Sequence, residues 1–453
     1  MSGRPEAALI RGEAVWETEV PVQDLELLVC DTNGVPRGKT VDGATFAPGD
    51  SAHMAAAVFF QCITGDYAEE SMAAHYPEDG DMLLVPDWAT CRDVPWKSGA
   101  CRQVICDTID RAGDPVPFDP RNLLKRILGL YAEKGWTPVV APEIEFYLLR
   151  PPRRQDRKLV PAPGVNERAE FGGEAYSSDA LDKYAPFLDT VRTMSADLDM
   201  PVQAMSHELG PGQIELNIAH DEALLQADRL FLVKRLVKAC ALQHGYLASF
   251  MAKPVKGLPG SGLHLHMSLV AGNGTNLFAL ADGKAPPPLR HFIAGLQTYL
   301  PAAFALIAPN VNSFRRFVPG WSAPINLEWG YDNRTAGFRV PFSDDAAGRV
   351  ESRVAGADAN PYLFVAATLA CGLLGLEEKL EPTAPAKGDT YGRPADLPGD
   401  LENALRVLAA HKKLRRLLTE DFVGGFVAVK RGELRNFGGW ITPWEVGYLG
   451  SML

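Results

Sequence analysis

The sequence predicts an α+β chain: a small β-rich part over residues 1–112, then a larger part over 113–453 in which helices mix with polar-faced strands. Three observations carry that expectation. Two extended runs meet at Asn33-Gly34, four later segments alternate ionisable with apolar residues, and several apolar-periodic stretches are too long to be strands.

Taken in order, Leu25–Val41 reads as a hairpin, because Asn-Gly suits a tight turn between two extended runs. Further strands are expected at Asp81–Pro86 and Arg102–Asp107, and the Pro-rich stretch Gly113–Pro120 closes the β-rich part. A helix follows from Asp119-Pro120 to Trp136, with Asp as its cap, Pro in its first turn and Gly135 near its stop. Arg150–Ala175, rich in charge, Pro and Gly, reads as a surface loop. Long helices are expected over Asp221–Phe250, Leu289–Ile307, Asn360–Leu380 and Asp400–Leu418.

The chemistry sits on the alternating strands. In Val139–Leu148, Glu143 and Glu145 share one face while Ile144, Phe146 and Leu148 take the other. Gln213–Ile218 repeats the pattern around Glu215, with Glu208 just upstream; Leu263–Ser268 presents His264 and His266, and Arg349–Val354 presents Arg349, Glu351 and Arg353. Alternating Glu on a strand by itself usually marks a solvated sheet face. If the four faces line one cavity, five carboxylates (Glu143, Glu145, Glu208, Glu215 and Glu351) and His264 gather in it. Such a cluster repels itself unless cations occupy it, and hard divalent ions are the natural occupants. Carboxylate-held Mg²⁺ or Mn²⁺ beside several arginines is equipment for phosphoryl transfer.

Composition sets the outer bounds. With 453 residues, 46% hydrophobic and 22% charged, the chain has ample material for a large core. A net charge of −11 argues against nucleic acid as a partner and mildly favours cationic small molecules. The seven cysteines form no CxxC pair, which fits free thiols in a reduced, cytoplasmic compartment. The N-terminus lacks a signal-peptide pattern, and the longest apolar run, Tyr362–Leu376, carries two glycines and falls short of a membrane span, so no membrane partner is expected.

At these segments the chain resembles the type I glutamine synthetase family. The markers in chain order are Pro142-Glu-Ile-Glu-Phe146, His207-Glu208 with Gly212-Gln-Ile-Glu215, Phe250-Met-Ala-Lys-Pro254, Gly260-Ser-Gly-Leu-His264-Leu-His266-Met-Ser268, Asn310-Val-Asn-Ser-Phe-Arg-Arg316, Asp332-Asn-Arg334-Thr-Ala-Gly-Phe-Arg339 and Arg349-Val-Glu351-Ser-Arg353. The resemblance implies a β-grasp N-terminal domain and a catalytic domain whose antiparallel strands form a half-open barrel. It also implies two stacked hexameric rings, a homododecamer with active sites between neighbouring subunits, and ATP-dependent joining of the L-glutamate γ-carboxylate to an amine through a γ-glutamyl phosphate.

Residue by residue, the resemblance implies that Glu145, Glu208 and Glu215 hold the metal near glutamate, and Glu143, His264 and Glu351 the metal at the ATP phosphates. Two or three Mg²⁺ or Mn²⁺ ions per site are implied. Arg316 would hold the α-carboxylate of glutamate and Arg353 would face the γ-carboxylate, with Gly260 in the glutamate loop. Arg334 and Arg339 would meet the phosphates and the transferring group, and His266 and Ser268 the nucleotide. Arg349 stays open between the nucleotide and a surface ion pair, His207 between site and packing, and Lys253 between site and a turn.

Two departures bear on the amine. Where ammonia-using relatives carry a Glu after the arginine of Arg-x-x-Pro-Gly, this chain has Ser322 beside Trp321. Where they supply an N-terminal Asp, the best alignment gives Phe59-Phe60-Gln61-Cys62-Ile63. Loss of both acids favours a carbon-bearing amine, and Arg349–Tyr362 is similar to the γ-glutamylputrescine and γ-glutamylpolyamine synthetase branch. Putrescine or another polyamine is thus the leading expectation. A short monoamine such as methylamine or ethanolamine, ammonia, and a non-catalytic ring-forming protein are the alternatives. Pro259 replaces the usual Asn of the glutamate loop, and the base that deprotonates the amine stays open between Glu208 and bound water.

Overall fold

The structure, a computed structural model, describes residues 22–152, 158–165, 170, 173–319, 321 and 323–452. Six strands form the first sheet: β1 (Asp24–Cys30), β2 (Pro36–Asp42), β3 (Ala52–Ala55), β4 (Asp81–Pro86), β5 (Arg92–Asp93) and β6 (Cys101–Ile109). Its order is β2-β1-β6-β4-β3, with β5 also on β6. The β1–β2 hairpin turns at Gly34, whose φ of +78° is the left-handed conformation that Gly adopts without penalty. Gly38 on β2 passes so close to Leu27 that a Cβ there would lie 1.8 Å from its carbonyl oxygen.

Nine strands form the second sheet: β7 (Trp136–Leu149), β8 (Val202–His207), β9 (Gln213–Ile218), β10 (Asp221–Glu222), β11 (Leu247–Ser249), β12 (Leu263–Ala271), β13 (Trp329–Tyr331), β14 (Phe338–Val340) and β15 (Val350–Ser352). Their order is β13-β14-β15-β12-β7-β9-β8, with β10 and β11 also on β7. Pairing is antiparallel except between β13 and β14, which run parallel and so depart from the all-antiparallel expectation.

The expected helices form, with shifted ends. Helix Pro120–Ala132 starts where Asp119 accepts from the Arg121 N–H. The helix expected over 221–250 is shorter, Ala223–Gln243, because 221–222 pair as β10 and Gly245 at φ +71° turns the chain into β11. The stretch expected as one helix over 400–418 splits at His411, which is extended and caps Lys412–Leu418 by accepting from the Leu414 N–H. Helices Ala185–Asp197 and Glu420–Gly438 were not among the sequence expectations.

Helix Pro361–Glu378 is long and apolar enough to cross a membrane by length and composition, yet 89% of it is buried as the core of the fold. It crosses helix Pro287–Ile307 at a glycine contact: a Cβ on Gly375 would lie 2.2 Å from the His291 carbonyl oxygen. At its N-terminus the Asn360 side chain accepts from Tyr362 and Leu363 N–H and donates to the Asp31 carbonyl, tying cap to hairpin. Arg121 makes a second tie. Its guanidinium meets Asp87 just after β4, Asp107 of β6 and Asp228 of helix 223–243, the last through two 2.9 Å bonds.

The first sheet's hydrophobic cluster also takes in Val429, so the late helix Glu420–Gly438 completes an N-terminal core. Opposite it, Lys430 and Glu433 are buried as a 2.9 Å pair. Lys430 reaches Asn33, and Glu433 accepts from the Ile63 N–H at 2.7 Å.

Candidate active site

The second sheet brings the ionisable faces together by register. On β7, Glu143 stands opposite His264 of β12 and Asn217 of β9, and Glu145 stands opposite Glu215. On β12, His266 stands opposite Glu351 of β15, which in turn faces Arg339 of β14. Ser268 continues the His264–His266 face of β12 by two residues. Ile144, Phe146 and Leu148 fill the core on the other side of β7.

Glu143, Glu145, Glu208, Glu215 and His264 line one cleft, with Gly260, Arg316, Trp321, Arg334 and Arg353 facing them. His266, Arg339, Arg349 and Glu351 join by direct contact. His266 Nε2 lies 3.0 Å from Glu143, Arg349 Nε 3.4 Å from His266 Nδ1, and Arg353 Nη1 2.6 Å from Glu351, which also binds Arg339. His264 sits centrally, 3.4 Å from Glu143, 3.8 Å from Glu351 and 3.9 Å from Glu145. Ser322 and its neighbour Gly320 lie outside the described residues.

Charge sorts the cleft into two halves. Burial alone would raise Glu351, yet Arg353, His264, His266 and Arg339 hold it down to about 2. Glu143 is likewise held well below the usual carboxylate range against its burial by His264 and His266. Across the cleft, burial and then Glu145, Glu143 and Glu208 push Glu215 up to about 9, while burial and Glu145 push Glu208 up to about 7.

That repulsion is a test of whether the residues fit a divalent cation, and they do. Ligand atoms of Glu143, Glu215 and His264 lie within 4.8 Å of one another, as do those of Glu143, His266 and Glu351, so Glu143 bridges two candidate sites. This grouping crosses the two ligand sets that the resemblance implies, with Glu143 beside Glu215 and His266 beside Glu351. Gln213 Nε2 and the Gly262 N–H aim Glu145 by donating to one of its oxygens at 2.9 and 2.8 Å.

The arginines complement the acids. Arg316 is buried, donates to the Val354 and Arg353 carbonyls at 3.0 and 3.3 Å, and is pulled down to about 10 by burial. Among the described residues neither Arg316 nor Arg334 has an ion-pair partner, so both guanidinium charges are available to an anionic substrate. Lys253 lies 4.3 Å from the Trp321 ring centroid, a cation–π contact rather than only a turn closure.

Three contributors were absent from the sequence expectations. Tyr176 lines the cleft from a loop, at φ +60°; nothing in its local sequence marks it. Ala323 lines it beside Trp321. Glu170 accepts from His207 Nε2 at 3.0 Å and the Gly212 N–H at 2.8 Å, while His207 Nδ1 lies 2.7 Å from the Glu208 carbonyl. His207 is therefore a buried brace for the Glu208 turn, both ring nitrogens facing acceptors. The segment aligned with the missing N-terminal acid has Phe59 and Phe60 buried and Ile63 exposed.

Strand-borne carboxylates and imidazoles fitted for divalent cations, faced by guanidiniums of which Arg316 and Arg334 have no ion-pair partner among the described residues, suit metal-assisted phosphoryl transfer, the chemistry of an ATP-dependent ligase. The catalytic-domain profile of glutamine synthetase matches residues 117–449, and the chain belongs to the glutamine synthetase family. It is 35% identical over 434 residues to γ-glutamylputrescine synthetase of Escherichia coli (strain K12), covering 94% of this chain and 91% of that one. It is 33% identical over 443 residues to glutamate–isopropylamine ligase of a Pseudomonas species, covering 94% of each. Among solved structures, ligand-free GmaS superposes with a TM-score of 0.82 at 29% identity, over 96% of this chain and 98% of that one.

Proposed function

We propose that this chain joins the γ-carboxylate of L-glutamate to a primary amine with ATP, and that its amine is putrescine or another polyamine. The observation that carries the reading is the cleft itself, where five carboxylates and His264 gather opposite two guanidiniums that have no ion-pair partner among the described residues. A 35% relative that makes γ-glutamylputrescine, similar across 94% of this chain, supports the choice of amine.

In this reading Glu143, Glu145, Glu208, Glu215, His264 and Glu351 hold Mg²⁺ or Mn²⁺, which when bound supplies charge neutralisation for phosphoryl transfer. Arg316 takes the glutamate α-carboxylate, its head already aimed by two carbonyls. Arg353, locked on Glu351, faces the γ-carboxylate; Arg334 and Arg339 face the transferring phosphoryl group. His266, Ser268 and Arg349 take the nucleotide. The γ-carboxylate oxygen attacks the terminal phosphorus of ATP and ADP leaves; the amine nitrogen then attacks the acyl carbon, loses a proton and displaces phosphate. What this chain contributes is position and fixed charge, the terms that dominate such reactions.

A short alkyl monoamine is the second reading, favoured by the isopropylamine ligase at 33% identity and by the Lys253 cation over Trp321, which would repel a dication. We also take the chain to divide near residue 112 and to work as a cytoplasmic ring oligomer, probed by light scattering. Seven buried free thiols support the compartment. The exposed apolar face of helix Pro443–Met452, with Trp444 61% and Met452 79% exposed, supports self-association.

The deciding experiment is phosphate release from ATP, Mg²⁺ and glutamate across ammonium, methylamine, ethanolamine, isopropylamine, putrescine and spermidine. Turnover confined to putrescine and spermidine is expected. Turnover best with ammonium or a monoamine would overturn the polyamine assignment, and none with any amine would overturn the ligase reading.

A further inference from the structure

A second cavity, of about 350 Å³, opens where helix Glu69–His75 meets the C-terminal helices Leu401–Ala410, Lys412–Leu418 and Glu420–Gly438. Helix 420–438 gives it an apolar wall of Val423, Val427 and Ala428, followed by Arg431 and Arg435 one turn apart. Arg415 enters from the neighbouring helix. Its guanidinium is fixed by the Ala409 carbonyl at 3.0 Å and by Glu420, while its Nε is buried with no hydrogen-bond partner among the described residues. Arg431 holds Glu402 at 3.0 Å with one nitrogen. The Arg435 side chain makes no hydrogen bond or ion pair among the described residues. Three arginines thus line the cavity with Glu70, Arg415 and Arg431 each already holding one glutamate outside the lining and Arg435 holding none among the described residues.

We propose that this cavity is a binding site for a small organic anion, a phosphate or carboxylate on an apolar body, held by Arg415, Arg431 and Arg435. The size falls in the range of small-molecule pockets, and a mostly apolar wall with a few convergent forks is their usual construction. The planar guanidinium fork matches both anions in a way that a lysine point charge does not. Val423, Val427 and Ala428 face the body of the ligand.

The probe is phenyl phosphate, titrated calorimetrically into the full-length protein, with benzyl alcohol as the neutral analogue and benzoate as the carboxylate arm. The active cleft also offers arginines to a phosphate, so the same titrations are run on the Arg431→Gln/Arg435→Gln double variant, whose cleft is intact. A saturable site that weakens at least tenfold in the variant, with benzyl alcohol silent and basal ligase turnover unchanged, is the expected result. Arg431→Ala alone serves if the double variant misfolds. An unchanged isotherm in a folded variant, equal binding of benzyl alcohol, or no variant-sensitive heat up to about 10 mM probe would overturn the proposal.

Discussion

The two ends of the cleft are made of different material. At one end Glu143, Glu145, Glu215, His264, His266 and Glu351 stand on β7, β9, β12 and β15, and the hydrogen-bond register of the sheet decides which side chains meet. At the other, Trp321, Ala323 and Tyr176 come from loops and turns. A one-residue slip in the sheet would send every acid to the core, so the first end tolerates little change. Loops carry no such lock, and the loop holding Trp321 and Ser322, proposed to meet the amine, is where the sequence departs from the pattern expected of ammonia users. The proposed function therefore assigns the shared chemistry to the register and the choice of amine to the loops.

The sharpest way to break that contrast is Glu351→Gln. The amide keeps the shape and some hydrogen bonds to Arg339 and Arg353 but removes the charge facing His264. Turnover should fall about 10³-fold or more in a phosphate-release assay while the protein stays folded. Glu351→Ala is the poorer test, because stranding the buried Arg353 guanidinium costs about 3–5 kcal/mol and confounds activity with stability. Near-normal turnover in Glu351→Gln would remove the residue from the metal set.

Arg316 comes next. It has backbone partners but no acid of its own among the described residues, so its charge matters only when an anion arrives. Arg316→Lys should raise the KM for glutamate about a hundredfold, since a point charge cannot replace the fork, with the KM for ATP moving little. An ATP effect equal to the glutamate effect would put Arg316 at the wrong end of the cleft.

The paired carboxylates predict a pH dependence for metal binding. With Glu215 pushed up to about 9 and Glu208 to about 7, the metal-free cleft holds a proton on Glu215 through the neutral range and a second on Glu208 as pH falls below about 7. A divalent cation must expel them, so affinity rises with pH. Mg²⁺ titrations should strengthen up to about tenfold per unit between pH 7 and 9, more steeply below 7, and level off above 9. A flat profile would mean that neither Glu215 nor Glu208 touches the ion.

The register-built end was legible in the sequence because period-two alternation survives in any strand with one buried face. Glu143 with Glu145, His264 with His266, and Glu351 were all readable that way. The Asp119 and Asn360 helix starts were readable too, from local capping chemistry. Contacts closed over long separations were not. The hold of Gln213 on Glu145, the His207–Glu170 brace and the reach of helix 420–438 into the N-terminal core depend on where distant segments pack. His411 looked like helix interior, and only the structure shows it extended and capping the next helix. Tyr176 carries no pattern at all, as is usual for a loop residue that acts by position.

The smallest expected effect lies at the loop end. Trp321 lines the cleft, and its ring carries the Lys253 ammonium at 4.3 Å, while no carboxylate of Trp321's own loop is among the described lining residues. Trp321→Ala removes the aromatic surface and releases that cation. Because Trp321 carries neither a charge nor a candidate metal ligand, turnover on the best amine should fall by less than about tenfold, and the KM for ATP should hold. The ratio of putrescine to isopropylamine turnover should move by about tenfold, an energy of the size expected for one apolar contact in a pocket. Ser322→Glu, which restores the acid of ammonia-using relatives one residue along, should shift the ratio of ammonium to putrescine towards ammonium. If Trp321→Ala scales all amines alike while Ser322→Glu leaves their order untouched, this loop does not choose the amine. The division between a register-built chemical end and a loop-built selective end would then fail at its second half.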